Sequence, residues 1–293
     1  MTGPALRTSA LLAPLVVLVV PFLVWPAVFG LVASFTSYTP LETRAQFVGL
    51  DNYAAILSDP QFVIASRNVL VFTATGVAAE LVLGFAIAYL LRQPFQGRAL
   101  VRIALLVPWL VSPVANGVLW HFLLTPSIGP LDYARGWAGL PIGPSPLGVS
   151  GLALPAAIAI DVWRKAPLVG FLVLPAMLAI PRERWETATL EGARLADRVR
   201  VVALPPLVPL LLTIGMLLVG DGLGVFDSLL TLTGGGPGSE TITPGLYAYQ
   251  QAFRVNDWRL GATAGWLVAA SVLVIGAAYV RATRVFVRDA YAH

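Results

Sequence analysis

Read from its N-terminus, the chain alternates long apolar runs with shorter polar stretches six times. The runs cover 10–34, 69–91, 103–124, 152–180, 204–232 and 260–280. A bilayer hydrocarbon core of ~30 Å needs roughly 20 apolar residues in a helix. Each run meets that length, so the pattern predicts an all-α membrane protein with six transmembrane helices in a single domain over 1–293. The first run follows Arg7 and starts like a secretion signal. Its apolar stretch is too long for one and five more follow, so it is expected to remain as a helix. The polar stretch 181–203 is the most charged part of the chain and is predicted to be an extramembrane loop.

Composition agrees with the pattern. The chain is 57% hydrophobic and only 12% charged, against about 25% charged for soluble domains. It has no cysteine, which excludes disulfides and thiolate metal sites, and its one lysine is Lys165. Sidedness follows from arginine, which favours the cytosolic face. With the N-terminus inside, that face receives Arg7, Arg92, Arg98, Arg102, Arg182, Arg184, Arg194, Arg198, Arg200, Arg281, Arg284 and Arg288. The outer face receives Arg44, Arg67, Arg135, Arg254 and Arg259. The bias of 12 to 5 predicts both termini and the 181–203 loop in the cytosol.

Several runs contain residues that a purely apolar span would not. Pro108 and Pro113 fall in the third, Pro155, Pro167 and Pro175 in the fourth, and Pro205, Pro206 and Pro209 at the head of the fifth. Each interior proline removes a backbone hydrogen bond and favours a kink. Glu80, Asp161, Arg164, Lys165, Asp221 and Asp227 lie inside apolar runs. Charges at that depth are costly, so they pair or line a polar cavity. Asp161 and Lys165, four apart, can pair along one helix face, and Glu80 can serve Arg164. These residues read either as an ion-pair lock between helices or as the lining of a polar passage. His121, alone in the third run, reads as a packing residue.

In the 181–203 loop, Trp185, Ala188 and Thr189 share one face of a short helix, suited to a cleft on another protein. Gly192 permits a sharp turn and a close backbone approach. Glu186 and Glu191 can pair with Arg182 and Arg194 or with a basic partner. Glu186, Ala188, Gly192, Ala193, Leu204 and Pro205 stand at spacings that resemble the EAA loop of bacterial ABC importer permeases. Residues 47–62, with Asn68, and residues 226–238, with Thr241, Tyr247 and Phe253, resemble the carbohydrate-uptake branch of that family. Thr187, Glu191, Val199 and Val201 depart from the usual loop pattern.

The resemblance implies a type I importer fold and a role as one half of a heterodimeric pore. It implies a paralogous permease subunit, an extracytoplasmic solute-binding protein and a cytosolic ATPase dimer. The ATPase would dock on a surface including Trp185, Glu186, Ala188, Glu191, Gly192 and Ala193. It also puts Asp161, Arg164, Lys165 and Leu168, with Asp221 and Asp227, along the substrate pathway. The substrate would be a sugar, oligosaccharide, polyol or sugar phosphate. If Arg164 and Lys165 both face the passage, Asp161 neutralises one of them and the other favours an anionic substrate. If Glu80 balances the second, a neutral sugar fits.

The chain shows no catalytic constellation. Its only lysine precedes Ala166, so no phosphate-binding Gly-Lys-Ser/Thr is present, and ATP belongs to the partner subunits. The chain itself is expected to need no cofactor, bind no metal, contact no nucleic acid and have lipid as its other neighbour. An ion-coupled secondary transporter is the alternative, but the first three runs do not repeat in the last three. A membrane-embedded enzyme built on Asp161, Asp221 and Asp227 has no motif behind it.

Overall fold

The computed structural model describes residues 14–40, 45–139, 141 and 143–290. Arg7, Arg44, His293 and residues 10–13 of the first expected run lie outside the described residues. The described residues are helical, with one isolated bridge between Thr36 and Phe47 as their only β pairing. The helices are α1 (Pro14–Ser34), α2 (Asp51–Leu57), α3 (Pro60–Arg92), α4 (Arg98–Leu110), α5 (Pro113–Leu123) and α6 (Pro130–Trp137). They continue with α7 (Ala153–Leu178), α8 (Arg182–Leu190), α9 (Leu195–Leu223), α10 (Asp227–Leu232), α11 (Pro244–Tyr249) and α12 (Trp258–Ala290).

Four of these, α1, α3, α9 and α12, are long and apolar enough to cross a membrane. The expected third span is instead a broken pair, α4 and α5, bent by 100°. The break has a local cause. Ser112 turns to an extended conformation and its hydroxyl accepts from the Ala115 N–H at 3.3 Å, with Pro113 as the first helical residue. That is an N-cap followed by proline at N1, which begins a new helix rather than kinking an old one. The fourth run does the reverse. α7 continues unbroken over 26 residues with Pro167 and Pro175 inside it.

The fifth run is displaced from its expected bounds. α9 begins at Leu195, nine residues early, and ends at Leu223. A π-helical turn over Arg198–Ala203 precedes Pro205 and Pro206. Prolines donate no N–H, and a wider turn just before them accommodates the missing bonds. The second half of the expected loop is thus continuous with a helix long and apolar enough to cross a membrane.

The chain forms two compact units, one of residues up to Val63 with Tyr247–Ala269, the other Ile64–Leu246 with Ala270 onward. In the first, the Asn52 amide donates to the carbonyls of Ser34 and Thr36, both at 2.9 Å, closing α1 onto α2. Tyr247 donates to Asp59 at 2.6 Å, and burial together with that carboxylate pushes the phenol pKa up. The second unit holds the core and both candidate sites. There α3 and α7 approach closely because glycine faces them at two points. A Cβ on Gly170 would fall 2.9 Å from Ile87 Cβ and 3.1 Å from the Gly84 carbonyl oxygen. Small residues of this kind let membrane helices pack backbone to backbone.

Candidate functional site

The charges within the apolar runs converge on Lys165. Its Nζ lies 2.7 Å from Asp161, 2.5 Å from Asp221 and 4.0 Å from Glu80. Arg164 bonds the other Asp161 oxygen at 3.2 Å. The lysine, arginine, Asp161 and Glu80 are buried, whereas the Asp221 side chain is 61% exposed. The cluster draws on three helices: α3 brings Glu80, α7 brings Asp161, Arg164 and Lys165, and α9 brings Asp221. Glu80 therefore faces the lysine, not Arg164, which it was expected to serve. Three carboxylates meet two cations, so the surplus positive charge that would call for an anion is absent.

Two pathway residues named from the sequence stand apart from this cluster. Asp227 starts α10 and accepts from the Ser228 N–H at 2.8 Å, a local contact with the next residue. Leu168 lies half-buried on α7. Sequence reasoning also passed over Asn116 and Trp120 on α5. Asn116 is buried with neither amide atom bonded, and Trp120 Nε1, Arg164 Nε and Glu80 Oε2 are buried and unbonded too. Trp120 meets Trp163 edge-on at 5.3 Å, which ties α5 to α7 beside Arg164. The signal was available: an asparagine in an apolar run needs a partner. His121 is a packing residue, its Nδ1 donating to the Leu232 carbonyl at 2.7 Å.

The second site is α8 and the turn after it. Trp185 and Ala188 do share a face, but that face is buried against Ala88 and Leu91 of α3, Val173 and Met177 of α7, and Val202 and Leu207 of α9. Tyr89 packs on the Trp185 ring at 6.0 Å, and the Arg92 guanidinium sits 3.6 Å above it. Trp185 and Ala188 thus seat the helix on its own chain instead of facing a partner. The outward face holds Glu186, which accepts from Arg182 at 2.7 Å, and Leu190, which is 89% exposed. Glu191 and Gly192 are exposed and Ala193 is half-buried. Glu191 pairs with neither Arg182 nor Arg194. Gly192 takes φ +74°, and the next N–H, of Ala193, returns to the Ala188 carbonyl at 2.9 Å. This closes the helix with the left-handed residue that glycine adopts most easily. Leu190 and Leu195, both exposed, were not singled out in the sequence.

The glycine motif forms a braced loop. Gly234 and Gly235 have positive φ, and the Asn68 amide of α3 donates to the carbonyls of Ser239 and Ile242 at 2.9 and 3.0 Å. Glu240 accepts from the Ser150 hydroxyl and from the Gly151 N–H, which holds its carboxyl below the usual carboxylate range.

Residues 60–290 match the family model for the binding-protein-dependent transport system inner membrane component. The chain belongs to that family. It is 30% identical over 282 residues to the trehalose/maltose transport system permease protein of Thermococcus litoralis, covering 95% of this chain and 94% of that one. It is 31% identical over 248 residues to the multiple sugar-binding transport system permease protein of Streptococcus mutans, covering 85% and 84%. Its fold matches a chain in the crystal structure of a bacterial alginate ABC transporter in complex with an alginate pentasaccharide-bound periplasmic protein. The TM-score is 0.80 at 21% identity, over 93% of this chain and 92% of that chain. The chain is therefore an inner-membrane transport permease, not an enzyme.

Proposed function

We propose that the chain is one of two permease halves in an ATP-driven, binding-protein-dependent importer of neutral sugars or polyols. Six segments cross the membrane: α1, α3, the α4–α5 pair, α7, α9 and α12. Both termini and the 181–203 loop face the cytosol. A paralogous permease completes the pore, a solute-binding protein delivers substrate outside, and an ATPase dimer docks inside, one subunit beneath α8.

One observation supports the coupling role above the rest. The three helices that seat α8 through Trp185 and Ala188 are the three that carry the charge cluster. Force applied to the exposed face of α8 reaches α3, α7 and α9 together, because packed cores move as bodies rather than deform. α9 adds a rigid link, since the segment after Gly192 is already part of it. Closure of the ATPase pair on ATP would shift the population of pore conformations through this seat.

The charge cluster supports the neutral substrate. Whether Glu80 is ionised or protonated, carboxylates match or outnumber Arg164 and Lys165, so a phosphate or carboxylate gains nothing from a spare cation. The unbonded donors and acceptors of Asn116, Trp120 and Arg164 suit hydroxyl groups instead. Relatives named for trehalose/maltose and for multiple sugars, at 30% and 31% identity, support a sugar-like substrate; its neutrality rests on the charge cluster, since a relative at 29% is named for sn-glycerol-3-phosphate.

Reconstituted vesicles test both parts. Uptake of a neutral sugar should need binding protein outside and ATP on the α8 side. Uptake driven by an ion gradient without ATP would overturn the reading in favour of a secondary carrier. Leu190→Glu places a charge on the one large apolar group α8 offers outward. It should cut ATPase co-purification at least about tenfold, a loss of ~1.4 kcal/mol, while the chain still melts as the parent does. Undiminished recovery would remove α8 from the docking surface.

A further inference from the structure

Beside the helix pair α9 and α12 lies an open groove of about 740 Å³ that the transport reading does not use. Its lining is Met216, Val272, Leu273, Gly276, Ala277 and Val280, with Arg281 at one end. The two helices are already joined elsewhere: Tyr279 donates to the Leu212 carbonyl at 2.6 Å. The groove is therefore left over from a settled packing, not a gap awaiting closure between these helices. A Cβ on Gly276 would have Met216 Cε as its nearest neighbour, at 3.9 Å, so the floor has room.

Its dimensions and charge are specific. From Val272 to Arg281 a helix rises about 13 Å. One leaflet of a bilayer core of ~30 Å is about 15 Å deep. The apolar part of the groove thus matches the depth of a single acyl chain. Arg281 directly follows the apolar run 260–280, which places it at the expected headgroup level. It is exposed and, among the described residues, forms no ion pair. The sequence places further arginines at 284 and 288 beyond it. A cation at the mouth of an apolar groove is complementary to a molecule with an anionic head and a hydrocarbon tail. Helix surfaces covered by another protein helix have no such need for an anion at one end.

We propose that this groove is a binding site for an anionic phospholipid of the cytosolic leaflet. The acyl chain lies along Val272, Gly276 and Val280, and the phosphate is held by Arg281 through charge-assisted hydrogen bonds. Basic pockets between membrane helices on that side commonly hold such headgroups.

Native mass spectrometry of the full chain, purified in neutral detergent with the subunits that accompany it, tests this. The probes are phosphatidylglycerol, phosphatidylcholine with the same acyl chains, and glycerol phosphate as a headgroup without a tail. The parent should retain phosphatidylglycerol about tenfold more tightly than phosphatidylcholine and should not retain glycerol phosphate. Arg281→Gln should abolish the tenfold preference while leaving weak binding of both lipids. Gly276→Leu should fill the groove and weaken both. Because Arg281 is exposed, its variant should fold, and its melting temperature without lipid should equal that of the parent. Equal binding of the two lipids, or a preference that survives Arg281→Gln, overturns the site. So does a purified assembly in which another subunit excludes lipid from the groove.

Discussion

Lys165 meets three carboxylates, and the three are not equivalent. Asp161 and Glu80 are buried with it; in its absence Asp161 keeps Arg164 but Glu80 loses its ion-pair partner, whereas Asp221 is 61% exposed and keeps access to a wetter environment. Breaking a buried pair from one side costs about 3–5 kcal/mol, and an exposed partner contributes about 1 kcal/mol or less. Lys165→Gln should therefore lower the melting temperature of the detergent-solubilised protein substantially, and Asp221→Asn should barely change it. Equal shifts in the two variants would mean that Asp221 is as deep in the lock as Asp161. Residue spacing gave the Asp161–Lys165 pair but not its other members. Which residue of α3 or α9 faces a given point on α7 depends on helix rotation, and short-range spacing carries no information about that.

At the scale of elements, the charge cluster depends on how closely α3 and α7 approach. Gly84 and Gly170 permit it, each lying where the other helix presents Val169 or Ile87. Gly170→Val adds three carbons into that contact and should cost about 1–3 kcal/mol, the usual penalty of overpacking. It should also carry Glu80 away from Lys165, so combining it with Lys165→Gln should cost less than the two single losses added together. Strict additivity, measured by melting the double variant, would show that the glycine contact and the cluster are independent. Most of the helices were legible as apolar runs, because span length is imposed by the bilayer. Their ends were less so. Ser112–Pro113 carries a helix-start signal, yet inside an apolar run it reads equally as a kink. The apolar face of α8 misled for a related reason. Packing on one's own core and docking on a partner demand the same spacing of Trp185 and Ala188, and only tertiary structure separates them. Leu190 escaped notice because a single leucine at a helix end belongs to no period.

For the whole molecule, the question is which face of the membrane each loop occupies. Length and apolarity alone qualify four helices, or five with the bent α4–α5 pair. The parity of crossings therefore turns on α7, whose three charges keep it from reading as an ordinary span. If α7 crosses, α6 and α8 lie on opposite sides; if it does not, they share one. Those charges are neutralised within the chain at Lys165, so the cost of placing them at membrane depth is offset internally, and α7 is expected to cross. The chain lacks cysteine, which makes the test direct. Trp137→Cys on α6, at a position 93% exposed, should react with a membrane-impermeant maleimide in intact cells. Arg184→Cys on α8, also exposed, should react only after the membrane is opened. Labelling of both from outside would place α6 and α8 on one face and remove α7 from the spans. It would also deprive α8 of access to a cytosolic ATPase, so the same pair of measurements tests the topology and the coupling role that depends on it.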